Sequence, residues 1–314
     1  MDVLVTGYPS LDHIARVSHS PAVGETAHLL DLPDRVTYGG CGINTGVALA
    51  RLGFRVGAAL VLGDDADGLA YVQHLAALGI DVHNVQVLAG QRSSHSYLFL
   101  NPDGQYQNFF FPGAADAWAG TLTLHGVERY RLALVTVGQA AYNAQFVERV
   151  CAAGVPLVWG LKPDVFAYPP ALVRRFLGAS AYVLMNHIEA EVVLQAADAA
   201  ELGALLGANT RALVITQGAQ GVRVITHDGA TTVPAVPPAR LVDPTGAGDA
   251  FAAGFIAGLL RGASPVVAAQ LGAVLASFVL EEVGCQTNLP DWAGALARER
   301  GVHAQKLTGR ANLL

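Results

Sequence analysis

Short apolar runs rich in Val, Ile and Leu alternate along the chain with longer Ala- and Leu-rich segments at helical spacing. Strands of a parallel sheet are buried on both faces and therefore appear as continuous apolar runs, so the alternation predicts an α/β protein whose parallel sheet is covered by helices. The predicted strands are residues 3–6, 56–62, 132–137, 157–159, 182–185, 213–216 and 222–226. The predicted helices are residues 44–52, 68–78, 145–153, 171–177, 189–194, 201–206, 249–260 and 265–282.

Two segments interrupt this alternation. Residues 11–36 are mixed and polar, and residues 93–111 contain two alternating runs that flank the turn sequence Asn-Pro-Asp-Gly from Asn101 to Gly104. Both segments are predicted to be antiparallel strands that project from the main sheet. The composition does not change sharply at any point, so we expect residues 1–314 to form a single domain.

Composition excludes several kinds of partner. Apolar residues make up 52% of the 314-residue chain, which allows a large core, while the net charge of -6 and only two lysines argue against a nucleic-acid partner. The apolar stretches at residues 250–260 and 265–280 are shorter than the ~20 residues of a membrane span. The chain begins directly with a strand, without a basic leader, and its three cysteines have no metal-ligand spacing. We therefore expect a cytoplasmic protein with no membrane partner.

The stretch from Val242 to Leu260 contains the clearest chemical signal. Gly246, Ala247 and Gly248 have little or no side chain, so their backbone N–H groups can close around an anion at the start of a helix. A carboxylate beside such a site repels the anion, so its presence needs another explanation. One explanation is that the carboxylate takes a proton from the group that attacks the anion, which makes Asp249 a candidate general base. The alternative from spacing alone is that Asp243 and Asp249 simply cap a helix.

The sequence Asp-Pro-Thr-Gly-Ala-Gly-Asp-Ala-Phe-Ala-Ala-Gly-Phe, from Asp243 to Phe255, resembles the C-terminal signature of the ribokinase-like (pfkB) family of carbohydrate and nucleoside kinases. Three further motifs follow the family's order, and the resemblance covers nearly the whole chain. It implies a three-layer α/β/α sandwich with a mostly parallel central sheet and a small β lid formed by insertions at about residues 11–36 and 93–111. It also implies ATP-dependent phosphorylation of a primary hydroxyl, with Mg²⁺ as cofactor.

The first further motif is the glycine turn that precedes residues 44–52. It is not a dinucleotide-binding fingerprint, because Thr45 stands where the third glycine would be. In the family, the equivalent glycine pair and asparagine hold the sugar, which implies that Gly39, Gly40 and Asn44 bind the substrate here. Asp12 matches the family's substrate-hydroxyl aspartate; the alternative is a solvated loop acid.

The other motifs follow later strands. Asn186 and Glu189 are similar to the family's Asn-x-x-Glu motif, which implies a nucleotide contact by Asn186 and a water-mediated Mg²⁺ contact by Glu189; helix capping is the alternative. The turn from Thr216 to Gly221 is similar to the family's nucleotide-binding turn, although a tight hairpin would use the same glycines. The residues assigned to the nucleotide are therefore Asn186, Thr216, Gly218, Gly221 and Ala273.

Other nucleotide-binding and hydrolytic signatures are absent from the sequence. No Gly-Lys pair exists, which excludes a Walker A loop, and no Gly-x-Ser-x-Gly elbow or His-Glu-x-x-His motif occurs. Backbone amides, magnesium and an arginine that the sequence does not identify would hold the phosphates. Asp243 and Thr245 match the first loop of the family's monovalent-cation site, so K⁺ activation is a further expectation. Because the helix N-terminus favours negative charge, we expect it to lower the pKa of Asp249.

The lid segment is rich in aromatic residues. Packing within the lid, or between the lids of a homodimer, explains them, and stacking on a ligand is the alternative; the aromatic residues are Tyr97, Phe99, Tyr106, Phe109, Phe110 and Phe111. We expect a small sugar as the phosphate acceptor. The alternative is a nucleoside, because the lid sequence resembles that of prokaryotic adenosine-kinase-like members. A non-catalytic sensor of sugars or nucleotides on the same fold is the alternative of another class; the intact Gly-Ala-Gly-Asp sequence argues against it.

Overall fold

The computed structural model describes residues 1–31, 36–162, 164 and 167–311. The described strands are β1 Val3–Thr6, β2 Ser10–Arg16, β3 Thr37–Gly39, β4 Val56–Ala59, β5 Val61–Gly63, β6 Gln86–Leu88, β7 His95–Leu100, β8 Tyr106–Phe111, β9 Leu132–Val135, β10 Leu157–Gly160, β11 Tyr182–Asn186, β12 Ala212–Thr216, β13 Val222–Thr226 and β14 Gly229–Val233. The described α-helices are α1 Cys41–Arg51, α2 Ala66–Ala77, α3 Ala114–Ala117, α4 Ala140–Ala152, α5 Pro170–Ala179, α6 His187–Ala197, α7 Ala247–Leu260, α8 Pro265–Val279 and α9 Trp292–Ala311.

The main sheet has eight strands in the order β14-β13-β12-β11-β10-β9-β1-β4. All of its neighbours pair in parallel except β12 with β13 and β13 with β14. Successive side chains of a strand point to opposite faces, so Val3 and Val5 of β1 enter one core while Leu4 enters the other. Helices α1, α2, α7 and α8 cover the first core and α3 to α6 the second. This arrangement confirms the predicted α/β/α class.

The two segments that interrupt the alternation contribute strands to a separate four-stranded sheet, in the order β3-β2-β7-β8. We call this sheet the lid. The predicted turn is present, since the N–H of Gly104 donates to the carbonyl of Asn101 over 3.0 Å. The expectation of antiparallel strands throughout is wrong at the centre, where β2 and β7 pair in parallel. Alternation shows which face of a strand is apolar but not which strand lies beside it. Residues 32–35 of the first segment lie outside the described residues.

Two other predicted elements differ from the structure. The predicted strand at residues 56–62 divides at Leu60, so that β4 stays in the main sheet while β5 pairs with β6. Every residue of that run is buried, so the apolar pattern does not show the change of sheet. The predicted helix at residues 201–206 is a single 3₁₀ turn, Leu202–Leu205, flanked and interrupted by glycines of poor helix propensity. In the described part of the chain, no helix is both long enough and apolar enough to cross a membrane.

Helices α7 and α8 pack closely because glycines lie at their contact. A Cβ on Gly254 of α7 would lie 2.6 Å from the Leu271 carbonyl oxygen and 2.7 Å from the Gly272 Cα of α8. We expect Gly254→Ala to lower the free energy of unfolding by about 1–3 kcal/mol, the usual cost of overpacking a core. Urea denaturation followed by circular dichroism measures the change.

Gly178, near the end of α5, is the matched control, since a Cβ there would meet no atom within 4 Å. We expect Gly178→Ala to stabilise the protein by roughly 0.5–1 kcal/mol, because alanine loses less backbone entropy in a helix. Equal effects of the two substitutions would contradict the close contact of α7 and α8.

Candidate active site

A cavity of about 630 Å³ lies where the carboxyl ends of the parallel strands face the lid. Ligands of open α/β sheets bind at this edge, because the loops after each strand meet there. Ten of the residues assigned from sequence line the cavity: Asp12, Gly40, Asn44, Asn186, Glu189, Thr216, Thr245, Gly246, Gly248 and Asp249. Gly39, Ala247 and Asp243 are chain neighbours of lining residues, whereas Gly218, Gly221 and Ala273 are not among the residues that line it.

The start of α7 forms one wall of this cavity. Gly246 precedes the helix with φ 80°, a left-handed conformation that L side chains rarely adopt, and it has no side chain with which to cap the first turn. The N-terminal end of the helix therefore faces the cavity through Gly246 and Gly248. Free backbone N–H groups and the helix dipole make such an end suitable for a phosphate. Asp249 lies in the first turn of α7, two residues inside the helix.

Asp249 is held by a chain of amide hydrogen bonds. The side-chain NH₂ of Asn44 donates to its Oδ2 over 2.8 Å, and Gln286 donates to the Oδ1 of Asn44 over 2.8 Å, which fixes the orientation of the Asn44 amide. Thr45 adds a bond from its hydroxyl to the Asp249 carbonyl, 3.2 Å long. Asn44 lies inside α1 rather than at its start, so it does not cap this helix. It positions Asp249, and its contact with the substrate stays a prediction.

The protonation of Asp249 differs from the expectation. Burial raises the pKa of Asp249 to about 6, against the lowering effects of the Asn44 hydrogen bond and the nearby Lys162 charge. The sequence-based expectation of a lowered pKa is therefore wrong, because the loss of solvation outweighs the hydrogen bond and the charge that favour the ionised carboxylate. A carboxylate with a pKa close to neutrality is a better proton acceptor than an ordinary aspartate.

The substrate residues from the N-terminal part belong to the lid or follow it, since Asp12 lies in β2, Gly39 ends β3 and Gly40 comes next. The hydroxyl of Ser10 donates to the Oδ1 of Asp12 over 2.5 Å, and burial raises the pKa of Asp12. Gly39 packs directly against this carboxylate, since a Cβ there would lie 2.1 Å from the Asp12 Oδ2. Gly40 has φ 103°, and a Cβ on it would approach the Tyr8 carbonyl oxygen to 2.3 Å. The positive φ of Gly40 and the backbone beside it therefore require glycine at this position, while Gly39 leaves room for the Asp12 carboxylate.

Asn186 and Glu189 form a reciprocal capping box at the start of α6. The Asn186 Oδ1 accepts from the Glu189 N–H over 2.8 Å, and the Glu189 Oε2 accepts from the Asn186 N–H over 2.6 Å. The capping alternative is thus realised, yet both side chains also line the cavity. Burial raises the pKa of Glu189 to about 7. The other carboxylate oxygen of Glu189 and the amide oxygen of Asn186 are ligands of the kind that a hydrated Mg²⁺ accepts. The pair therefore fits this ion.

Asp243 fastens the loop before α7. Its Oδ1 accepts from the Thr245 N–H over 2.9 Å, and its Oδ2 accepts from the Gly284 N–H over 3.0 Å. Thr245 lines the cavity beside this fully buried carboxylate. K⁺ binding by Asp243 and Thr245 stays a prediction, and the structure adds a positioning role for Asp243.

The sequence analysis missed Lys162, which follows β10 and lines the cavity. Cys41, followed by Tyr106 and Asp249, raises the pKa of Lys162 against the lowering effect of burial, so the ammonium group stays charged at neutral pH. Burial and the Asp249 carboxylate raise the pKa of the neighbouring Cys41 thiol to about 12. One signal was available: Lys162 is one of only two lysines, and it comes directly after a buried strand.

Such a cavity, with an anion-accepting helix start beside a carboxylate of raised pKa, suits phosphoryl transfer to a small alcohol and defines a small-molecule kinase. The chain belongs to the pfkB family of carbohydrate kinases, whose family profile matches residues 2–292. This confirms the resemblance noted in the sequence.

Relatives of known activity agree with this assignment. The chain is 26% identical to a nucleoside kinase of Methanothermobacter thermautotrophicus, over 95% of both chains. It is 28% identical to the ribokinase of Bacillus subtilis, over 92% of this chain and 96% of the relative. A solved structure of the Burkholderia thailandensis nucleoside kinase in complex with ADP-inosine superposes with a TM-score of 0.81 at 26% identity, over 95% of both chains. The protein is an ATP-dependent kinase of sugars or nucleosides.

Proposed function

We propose that the phosphate acceptor is a nucleoside, phosphorylated on its primary hydroxyl. The observation that carries this proposal is the composition of the lid side of the cavity: β8 contributes Tyr106, Asn108 and Phe110 to the lining, in the same sheet as Asp12 of β2. A nucleobase needs an aromatic surface and a hydrogen-bonding edge, whereas a free pentose needs mainly hydroxyl partners. The nucleoside kinase relatives support the same class of acceptor.

The side chains have separate tasks in this reaction. Asp249 accepts the proton of the primary hydroxyl as the acceptor oxygen forms its bond to the γ-phosphorus of ATP, and ADP leaves with the oxygen of the broken bond. The backbone amides of residues 246–248 stabilise the charge on the phosphoryl group in transfer. Asp12 binds the ribose hydroxyls, and Thr216 binds the nucleotide at the end of β12. Asn186 and Glu189 would hold Mg²⁺ through water, and the bound ion would supply positive charge that neutralises the phosphates.

A comparison of acceptors tests the proposal. We expect ADP release from MgATP with adenosine, inosine or cytidine to exceed release with ribose, fructose or 2-keto-3-deoxygluconate. Phe110→Ala should lower kcat/KM for the nucleoside about 5-fold to 150-fold, since stacking on a base contributes about 1–3 kcal/mol. A coupled ADP assay measures both, with and without K⁺.

Phe109→Ala is the matched control on the same strand. Phe109 is 62% exposed and does not line the cavity, so its replacement should leave kcat/KM unchanged. Equal losses in the two variants, or turnover of a free sugar alone, would contradict a nucleoside acceptor.

A pentose is the second candidate acceptor. The ribokinase relative favours it, and Asp12 with the adjacent glycine pair would bind vicinal hydroxyls of either acceptor. Turnover of ribose that is insensitive to Phe110→Ala would support it.

We also propose that the lid mediates a homodimer. Strand β8 is an edge of the lid sheet, and its side chains Phe109 and Phe111 are exposed, which is a suitable surface for pairing with a second copy. Sedimentation velocity tests this, and a monomer at micromolar concentration would contradict it.

A further inference from the structure

The cavity presents an unusual charge balance for a site that receives a triphosphate. Its lining includes the carboxyl groups of Asp12, Asp164, Glu189 and Asp249, all of which repel phosphates when ionised. Among the described residues that line it, Lys162 is the only one with a cationic side chain. No arginine of the described lining can supply the positive charge that phosphoryl transfer requires, so this lysine is the candidate for that task.

The position of Lys162 suits a reacting phosphoryl group. It follows β10 at the centre of the main sheet, and it lines the cavity together with residues from three other elements: Cys41 of α1, Tyr106 of the lid and Asp249 of α7. Its charge acts on the carboxyl groups of Asp12, Glu189 and Asp249. Lys162 therefore shares the cavity with the acceptor residue Asp12, the proposed Mg²⁺ residue Glu189 and the general base Asp249. The transferred phosphorus must pass between the residues of this cavity.

We propose that Lys162 is a catalytic residue whose ammonium group binds the oxygens of the γ-phosphoryl group during transfer. This inference rests on the proposed kinase function and deepens it. While the acceptor oxygen bonds to phosphorus and the bond to ADP breaks, the acceptor proton passes to Asp249, and Lys162 keeps all of its protons. The positive charge of Lys162 offsets the negative charge of Asp249 and, in the transition state, that of the phosphoryl oxygens, so a phosphate can approach this carboxylate.

The test compares Lys162→Met, which retains the length of the side chain without its charge, with Lys162→Arg, which retains the charge. We expect Lys162→Met to lower kcat about 100-fold or more, the effect of losing one group that stabilises the transition state. The KM of the acceptor and the affinity for ADP should change little, because neither ligand carries the γ-phosphate. Lys162→Arg should retain more activity than Lys162→Met. The only other lysine in the sequence, Lys306, is the control, and Lys306→Met should turn over like the wild type.

A second measurement separates catalysis from simple charge balance. With acceptor present, the wild type should bind ADP with aluminium fluoride, a mimic of the phosphoryl group in transfer, much more tightly than ADP alone, and Lys162→Met should lose this difference. If Lys162 only keeps Asp249 ionised, Lys162→Met would regain full turnover at higher pH, and the proposal would be overturned. A raised acceptor KM at unchanged kcat would also overturn it, since the lysine would then bind the acceptor.

The failure of this inference can be distinguished from failure of the proposed function. If the wild type turns over an acceptor and folded Lys162→Met does so equally well, only the assignment of Lys162 is wrong. If the wild type releases no ADP with any acceptor, the proposed function itself is wrong. Thermal denaturation of each variant shows whether it is folded.

Discussion

Replacing Asp249 by Asn is expected to lower kcat by about 10²-fold to 10⁴-fold, the usual contribution of a general base. Asparagine has nearly the same shape and can still accept the hydrogen bond from Asn44, but it cannot take up the acceptor proton. The affinity for ADP should stay within about 3-fold of the wild type, because the carboxylate repels phosphate and its loss does not weaken nucleotide binding. Steady-state kinetics and calorimetric titration with ADP measure the two quantities.

The pH dependence of the wild type provides the control for this prediction. Burial raises the pKa of Asp249 to about 6, so the carboxyl group is protonated and inactive below that pH and ionised above it. Glu189 in the same cavity has a pKa of about 7, so kcat/KM should rise with pH through both values, and Asp249→Asn should lose the step near 6 and keep only the step near 7. Unchanged turnover in the variant, or the same acid limb in both profiles, would show that another group accepts the proton.

The second large effect is expected from Gly246→Ala, at the entry to α7. The left-handed conformation of Gly246 costs an alanine about 1–2 kcal/mol. Its Cβ would also lie 2.7 Å from the Cβ and 2.9 Å from the Cα of Cys285. The loop must move away from that backbone, and the amides that we propose to bind the phosphate move with it. Loss of one such donor lowers kcat about 10²-fold to 10³-fold, which is the expected decrease.

Gly262, just after the other end of α7, is the matched control. Its φ of 82° is close to the 80° of Gly246, yet a Cβ there would meet no atom within 4 Å. Gly262→Ala should therefore show the cost of backbone strain in thermal denaturation while turnover stays at the wild-type level. If both variants retain turnover, the exact position of the loop does not matter for catalysis.

Much of the fold followed from local pattern. Continuous apolar runs such as Val3–Thr6 are buried on both faces of the parallel sheet, and the Ala- and Leu-rich segments at helical spacing are its covering helices. The glycine turn before α7 could also be predicted, because its small residues and the aspartate that follows them are adjacent in the sequence. These features depend on residues within a few positions of one another, so the sequence alone was sufficient to predict them.

Only the tertiary structure decided which distant residues share the site. Asn44 and Gln286 are 242 positions apart, yet together they orient Asp249. Lys162 belongs to no motif and lines the cavity only because β10 ends at the edge of the sheet where residues at the starts of α1 and α7 also line it. The parallel pairing of β2 with β7 and the raised pKa of Asp249 also result from packing between segments that are distant in the sequence. Strand partners and loss of solvation are properties of packing between remote segments, and periodicity within one segment carries no information about them.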